Sequence, residues 1–399
     1  MLIELIIAMS LGILVGTFSG LAPGIHINLV NTVMISILPT LLLYTNPLAL
    51  CIFIISMSIT HTFLDTIPSI YLGAPEDDKA LGVLQGHKML LKGEGYAAVY
   101  YTIYGALFAL ILSIILSPLM IISFNFLYPL IEPFVGYLLI VVTIIMILKD
   151  ELKIWALFLF LISGTLGVIV FSLPNINEPL FPLLSGLFGV STLILSLKDK
   201  VNIKKQIIKK PKIEKTNAIK SVLSSTFAGS LISFLPGMGP SQGAVISQTF
   251  SKKDEDPNNF LMVIGGIGTV SMLVSFVTLF ALNKARNGSV IAISTIMKVD
   301  GNIFLIFLIV SLIVGITSFF FTLFIAKKFS HFIVLINYQR LVLSVIALIF
   351  LICFLLSGVI GLIILVTSTA IGLIAPLKGV QRSHAMGCLI LPVIFYFIL

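Results

Sequence analysis

Long apolar runs, each broken by a few polar residues or by glycine and proline, follow one another from end to end of the chain. They are too continuous for the alternating strands of a membrane barrel. In hydrocarbon every backbone group must be bonded internally, so runs of this kind form helices. About 20 apolar residues cross a bilayer, fewer where a helix is broken. The pattern predicts spans at 2–18, 28–44, 48–67, 96–117, 133–148, 154–172 and 180–197, then at 219–235, 240–251, 260–282, 303–326, 341–357, 358–375 and 386–399. Several are shorter than a full crossing, and the segments near 18–30 and 235–251 read as half-helices that meet inside the membrane. The expected fold is an all-α polytopic membrane protein of about 12–14 membrane segments.

Composition narrows the function classes. Of 399 residues, 58% are hydrophobic and only 10% are charged, where a soluble domain carries about 25% charged residues. A water-soluble enzyme, a disordered protein and a nucleic-acid-binding domain are excluded. Cys51, Cys353 and Cys388 lie far apart in apolar runs without metal-ligand spacing, so they read as small core residues.

The net charge of +8 is concentrated: residues 198–220 hold nine lysines against Asp199 and Glu214. Between apolar runs such a segment is a cytoplasmic loop, because short cytoplasmic loops retain Lys and Arg. Alternating outwards from it places Lys88, Lys92, Lys149, Lys153, Lys378 and Arg382 inside as well, and leaves predicted external loops at 118–132 and 173–179 with no Lys or Arg. Both termini then lie outside. Lys284, Arg286 and Lys298 fall on the outer side against the rule, and charges that break it need another role. Residues 1–14 are apolar with no basic segment, so they read as a first span of a cell-membrane protein and not as a cleavable signal peptide.

Two glycine-proline punctuations stand out, Gly20-Leu21-Ala22-Pro23-Gly24-Ile25-His26-Ile27-Asn28 and Pro236-Gly237-Met238-Gly239-Pro240-Ser241-Gln242-Gly243. Gly24 and Gly237 lie 213 residues apart, and the same shift carries the polar loop at 71–80 onto residues 284–288. About seven crossings per half is an odd count, which forces a second copy to enter upside down. The chain therefore divides into a first repeat at 1–197, a basic cytoplasmic loop at 198–218 and a second repeat of inverted topology at 219–399. Such repeats are a recurrent build of secondary transporters, with substrate bound where helices break near the midplane. The alternative is that Gly and Pro merely mark tight turns between hairpin helices.

A helix broken in the membrane exposes amide N–H groups at one new end and carbonyls at the other. The first suits an anion and the second a sodium ion. Pro23, Gly24, Pro236, Gly237 and Gly239 make close backbone approach feasible. Asn28, Asn31, Ser241 and Gln242 add neutral hydrogen bonds, and His26 offers a donor or a structural bond.

The order of these elements resembles the large membrane subunit of tripartite tricarboxylate transporters. The tips Ala22-Pro23-Gly24-Ile25-His26 and Leu235-Pro236-Gly237-Met238-Gly239-Pro240 sit where that family has its Pro-Gly motifs. The segment 67–98 resembles the family region that follows, with Gln85-Gly86-His87 in place of an aspartate-glycine-tyrosine step and Lys92-Gly93 retained; Leu187-Phe188-Gly189 resembles the element before the central loop. The resemblance implies a secondary carrier of small carboxylates working with a small membrane subunit and an extracytoplasmic binding protein. The chain departs from it at 265–269 and 281–289, where an acidic residue is missing and Lys284 and Arg286 appear.

Asp65 is the sharpest single residue, an acid near the end of an apolar run, with His61 one helical turn before it. The pair fits a coupling-proton site; the alternative is a helix cap before Pro68. Lys284 and Arg286 are candidates to neutralise an anionic substrate. Glu76, Asp77 and Asp78 read as a solvated turn, and His87, His331 and His384 as interfacial. The leading expectation is a secondary transporter of a small organic anion by alternating access, coupled to Na⁺ or H⁺ and needing no other cofactor. The alternative is a translocase for an anionic lipid such as polyprenyl phosphate. An intramembrane enzyme is disfavoured, because no GxSxG nucleophile, HExxH motif or catalytic aspartate pair is found. A homodimer is an assembly the pattern allows.

Overall fold

A computed structural model describes all residues of the chain except 1, 23–26, 37, 74–80, 82, 175, 177–178, 199–203, 235–239, 251–255, 286, 336–337 and 399. Among the described residues there are helices and no strands. The first half runs α1 (Leu2–Leu21), α2 (Ile27–Ser36), α3 (Leu38–Leu41), α4 (Pro47–Leu64), a π-helical turn (Pro68–Leu72), α5 (Val83–Lys92), α6 (Gly95–Ile131), α7 (Val135–Lys149), α8 (Lys153–Ser172), α9 (Leu180–Leu184), a second π-helical turn (Ser185–Val190) and α10 (Ser191–Lys198). The second half runs α11 (Lys215–Phe234), α12 (Pro240–Phe250), α13 (Pro257–Leu282), α14 (Gly288–Ile296), α15 (Gly301–Phe332), α16 (Tyr338–Lys378), a 3-10 turn (Arg382–Met386) and α17 (Gly387–Ile398). Seven of the described helical stretches are long and apolar enough to cross a membrane.

The 213-residue shift seen in the sequence carries α1 onto α11 end for end, both 20 residues long, and carries the first residue of α2 onto the first residue of α12. Each half thus opens with a long helix, a gap and a short helix, then a buried helix. Caps set several boundaries. Asn46 accepts from the Ala49 N–H ahead of Pro47, and Asp256 accepts from the Asn258 N–H ahead of Pro257. In each case proline fills the first turn, where its missing N–H costs nothing.

One expectation about spans is corrected and another is met. The stretch 118–132, expected as an external loop, is helical: α6 continues through Pro118 and Pro129 to Ile131. The flanking residues are apolar, and membrane helices tolerate proline where neighbouring groups re-satisfy the backbone. The spans expected at 341–357 and 358–375 are two helices, together α16, that meet at Gly358, whose φ of 63° and ψ of −156° belong to glycine.

The halves interlock. The α4 stretch and α13 are the most deeply buried spans, at 83% and 89% of their most apolar window, against 50% or less for the other five. Helix α6 packs along α13 of the other half, and α15 packs along α4. Small residues allow these approaches. A Cβ on Gly105 would overlap the Met262 backbone, and one on Gly265 the Thr102 backbone. Within the halves, α1 meets α4 along Gly12, Gly16 and Gly20, while α11 meets α13 along Ser225, Gly229 and Ser233, the same three positions shifted by 213.

The described part of the basic segment, from 204, is fastened to the α5–α6 turn. Gly93 is left-handed at φ 93°, and its carbonyl accepts from the Ile207 N–H at 2.8 Å. The Gln206 side chain accepts from the Gly95 N–H at 2.9 Å and donates to the Leu90 carbonyl at 3.0 Å. Lys88, Lys92, Lys204 and Lys205 therefore share one end of the bundle.

Candidate substrate site

Of the residues at the two breaks, Pro23, Gly24, His26, Pro236, Gly237, Gly239 and Arg286 lie outside the described residues, as do Glu76, Asp77 and Asp78. Asn28 and Ser241 stand in the first turns of α2 and α12. The described neighbours of the breaks show what surrounds them.

Beside the first break, Asn31 on α2 is buried, and its Nδ2 donates to the Ser289 hydroxyl on α14 at 2.8 Å. Ser289 also bonds Ser58 on α4 at 2.7 Å. One hydroxyl thus joins three helices from both halves. The amide oxygen of Asn31 is buried without a hydrogen bond, as are the hydroxyls of Ser56, Thr66 and Ser69 along α4 and its continuation. Unsatisfied buried oxygens are costly in a packed interior, and they suit a cation, a water or a ligand hydroxyl. Further along α4, Thr62 bonds Thr269 on α13 at 3.1 Å, and Ser318 on α15 donates to Thr60 at 3.0 Å. This chain of neutral hydroxyls at the crossing of the two halves was not read from the sequence. Its partners are 207 to 258 residues apart, and single Ser and Thr residues in apolar helices carry no signal.

His61 and Asp65 are both buried on α4, and Asp65 is fully enclosed. His61 Nδ1 bonds the Ser19 hydroxyl of α1 at 3.0 Å. Asp65 closes the C-terminus of α4, its N–H donating to the His61 carbonyl at 3.0 Å. The structure thus brings His61 and Asp65 to the α1–α4 contact, beside Gly20 near the C-terminal end of α1. The π-helical turn that follows leaves the Ile70 carbonyl to His87 Nδ1 at 3.1 Å. His87 is buried within the protein, against that carbonyl.

Beside the second break, Gln242 is buried on α12. Lys284 follows α13 after Asn283, which ends the helix in a left-handed conformation at φ 52°. Its ammonium bonds the Tyr128 hydroxyl at 3.0 Å and sits 4.1 Å from the Tyr128 ring centre. Tyr128 packs edge-on against Phe234, the last residue of α11 before the break. Aromatic contacts therefore tie the cation to the C-terminal end of α11.

His384 was expected at an interface. It is fully buried, and its Nε2 meets Asp150 Oδ2 at 2.9 Å. Asp150 also accepts from the Leu152 and Gln381 N–H groups. Burial pushes this carboxyl up, but the bonds from Leu152, His384 and Gln381 outweigh it and hold the group below its ordinary range. No sequence spacing points to a pair 234 residues apart.

An all-helical bundle with buried polar side chains on its most enclosed spans is the build of a polytopic membrane transport protein. The chain belongs to the family described as the Tripartite tricarboxylate transporter TctA family, which it matches over residues 6–387. It is also 30% identical to the uncharacterized protein MJ1079 of Methanocaldococcus jannaschii over 97% of this chain and 98% of that protein. No solved structure matches it.

Proposed function

We propose that the protein is a secondary carrier of a small organic anion of the di- or tricarboxylate class, working by alternating access. The observation that carries this reading is the twice-used unit of long helix, gap and short helix at a 213-residue spacing. Each copy stands beside one of the two most buried spans. On this reading the halves are inverted repeats. The anion lies between the breaks at 23–26 and 235–239, with Asn31 and Gln242 as neutral partners and Lys284 and Arg286 as counter-charges. The face bearing Lys88, Lys92 and residues 204–215 is cytoplasmic, following the positive-inside rule. Importing an anion against a negative interior costs about 2.3 kcal/mol per charge per 100 mV. Inward accumulation therefore needs Na⁺ or H⁺, for which His61 and Asp65 are the proposed carriers. A small membrane subunit and an extracytoplasmic binding protein are the expected partners.

The rival reading, a translocase for polyprenyl phosphate, draws on an open apolar groove of about 630 Å³ between α1 and α4. Its polar end carries Glu4, bonded to the Thr45 hydroxyl and the Asn46 N–H, and an acid there disfavours a phosphate head group.

Thermal stability of the purified protein, with and without Na⁺, tests both readings against a panel of di- and tricarboxylates and a polyprenyl phosphate. A ligand at a hundred times its dissociation constant adds about 2.7 kcal/mol. Stabilisation by a carboxylate, weakened in Lys284→Ala, is the expected result, and stabilisation by the lipid alone would replace the carrier with the translocase. Unchanged binding and flux after Pro-Gly to Ala-Ala changes at both breaks would overturn the site.

A further inference from the structure

A second polar cavity lies away from the breaks, at the end of the bundle that carries the basic segment. Its volume is about 390 Å³, within the roughly 300–1,000 Å³ of small-ligand sites. Lys88 and Gln85 of α5 line one wall; Gln381, Arg382 and Ser383 line another, and Thr192 of α10 a third. Two cations and four neutral hydrogen-bonding side chains face the space, and no acid lines it among the described residues.

Arg382 is held in place without being neutralised. Its Nη1 donates to the Thr192 hydroxyl, the Ser191 hydroxyl and the Phe188 carbonyl, all uncharged. Phe188 belongs to the second π-helical turn, and π turns are frequent at functional sites. Every side-chain hydrogen bond shown for Arg382 among the described residues runs from Nη1. The segment that carries it is clamped on both sides by Asp150, which takes the Gln381 N–H at 3.2 Å and His384 Nε2 at 2.9 Å. That carboxylate is engaged with these two groups and with the Leu152 N–H, and it forms no bond to Arg382. A half-buried guanidinium fixed by neutral acceptors, facing an exposed ammonium across a cavity, is arranged for an anion that both can share.

We infer that this cavity is a binding site for a small oxyanion of two or more negative charges, held between Arg382 and Lys88 and separate from the site at the helix breaks. The inference rests on the carrier reading for the choice of a carboxylate. The cavity's own chemistry asks only for an oxyanion, which inorganic phosphate also supplies. Asp150 and His384 are positioning residues that set the backbone of Arg382. On the carrier reading this is the inward-facing station of the transported anion.

Equilibrium binding of citrate and of inorganic phosphate to the purified full-length protein tests it, with Arg382→Gln, Lys88→Gln and Asp150→Asn beside the wild type. Each of the first two changes is expected to weaken binding by about tenfold or more, as for loss of a charged hydrogen bond. Lys88 is exposed, so its variant keeps the test open if Arg382→Gln does not fold. Asp150→Asn should weaken binding less and be partly compensated by a higher ligand concentration. Citrate binding lost in these variants supports the site with a carboxylate ligand, and phosphate binding lost in the same way supports it with a phosphate ligand. Citrate binding that survives Lys88→Gln and Arg382→Gln unchanged but falls in Lys284→Ala overturns this site while leaving the carrier reading intact. No binding of either anion to the wild type overturns this site, while the carrier reading is decided by the wider carboxylate panel.

Discussion

The two intra-half helix pairs, α1 with α4 and α11 with α13, share one architecture and use different chemistry. Gly12, Gly16 and Gly20 bring α1 against the α4 backbone, with the Ser19–His61 bond beside them: a Cβ on Gly12 would stand 2.5 Å from the Phe53 carbonyl. At the shifted positions Ser225, Gly229 and Ser233, hydroxyls join the contact. Ser233 donates to the Ser271 carbonyl at 3.1 Å and to its hydroxyl at the same distance. The glycine pair also holds the ionisable groups, His61 and Asp65, whereas the cations Lys284 and Arg286 follow the serine pair. On the proposed reading one half supplies the proton-handling groups and the other the fixed positive charge. A carrier that couples an ion to an anion needs both.

The largest effect expected is on flux. Asp65→Asn should lower coupled uptake on the order of a hundredfold, as for loss of a proton-handling group. Carboxylate binding should stay near the wild-type level, and reconstituted transport set against equilibrium binding separates the two. Equal loss of both would dissolve the division of labour between the halves. Next comes packing. Gly16→Ala pushes a Cβ into the Met57 backbone and should cost about 1–3 kcal/mol, read as unfolding in detergent. Gly358→Ala, in a region of backbone space reserved for glycine, should cost about the same. Ser233→Ala removes a hydroxyl and leaves the contact intact, so its cost should be only about 0.6 kcal/mol. If Gly16→Ala and Ser233→Ala proved equal, the glycine seam would not be the tighter of the two.

The smallest effect concerns pH. The Asp150 carboxyl is held below its ordinary value of 3.8 in the folded protein. Its contribution to stability is therefore fully present above that value and lost as pH falls below it through the folded-state value. The acid midpoint of unfolding should rise in Asp150→Asn relative to the wild type, with little change in the pH profile above 5 or so.

The legible part of the molecule was its punctuation. Pro23-Gly24 and Pro236-Gly237 lie outside the described residues, but the 213-residue shift that they suggest holds residue for residue at α1 and α11. The loop expected at 118–132 is helix instead, because its residues are apolar and α6 tolerates Pro118 and Pro129. The site was harder to see. Asp65 and His61 are conspicuous in an apolar run, but Ser58, Thr60 and Thr62 look like any polar residues in a membrane helix until Ser289, Ser318 and Thr269 are placed against them. The Asp150–His384 clamp is invisible for the same reason: each member is ordinary alone.

The interlock of the halves also constrains how the protein is made. Chain growth proceeds at about 5–20 residues per second, so the partners of Ser58, Thr60 and Thr62, 207 to 258 residues downstream, emerge roughly 10–50 s after α4 does. Throughout that interval a helix that ends as one of the most buried in the molecule faces lipid or an insertion factor with its hydroxyls uncovered. A nascent chain stopped after the first half should be a target for membrane proteases, and the two halves supplied as separate polypeptides should survive only when they are synthesised together.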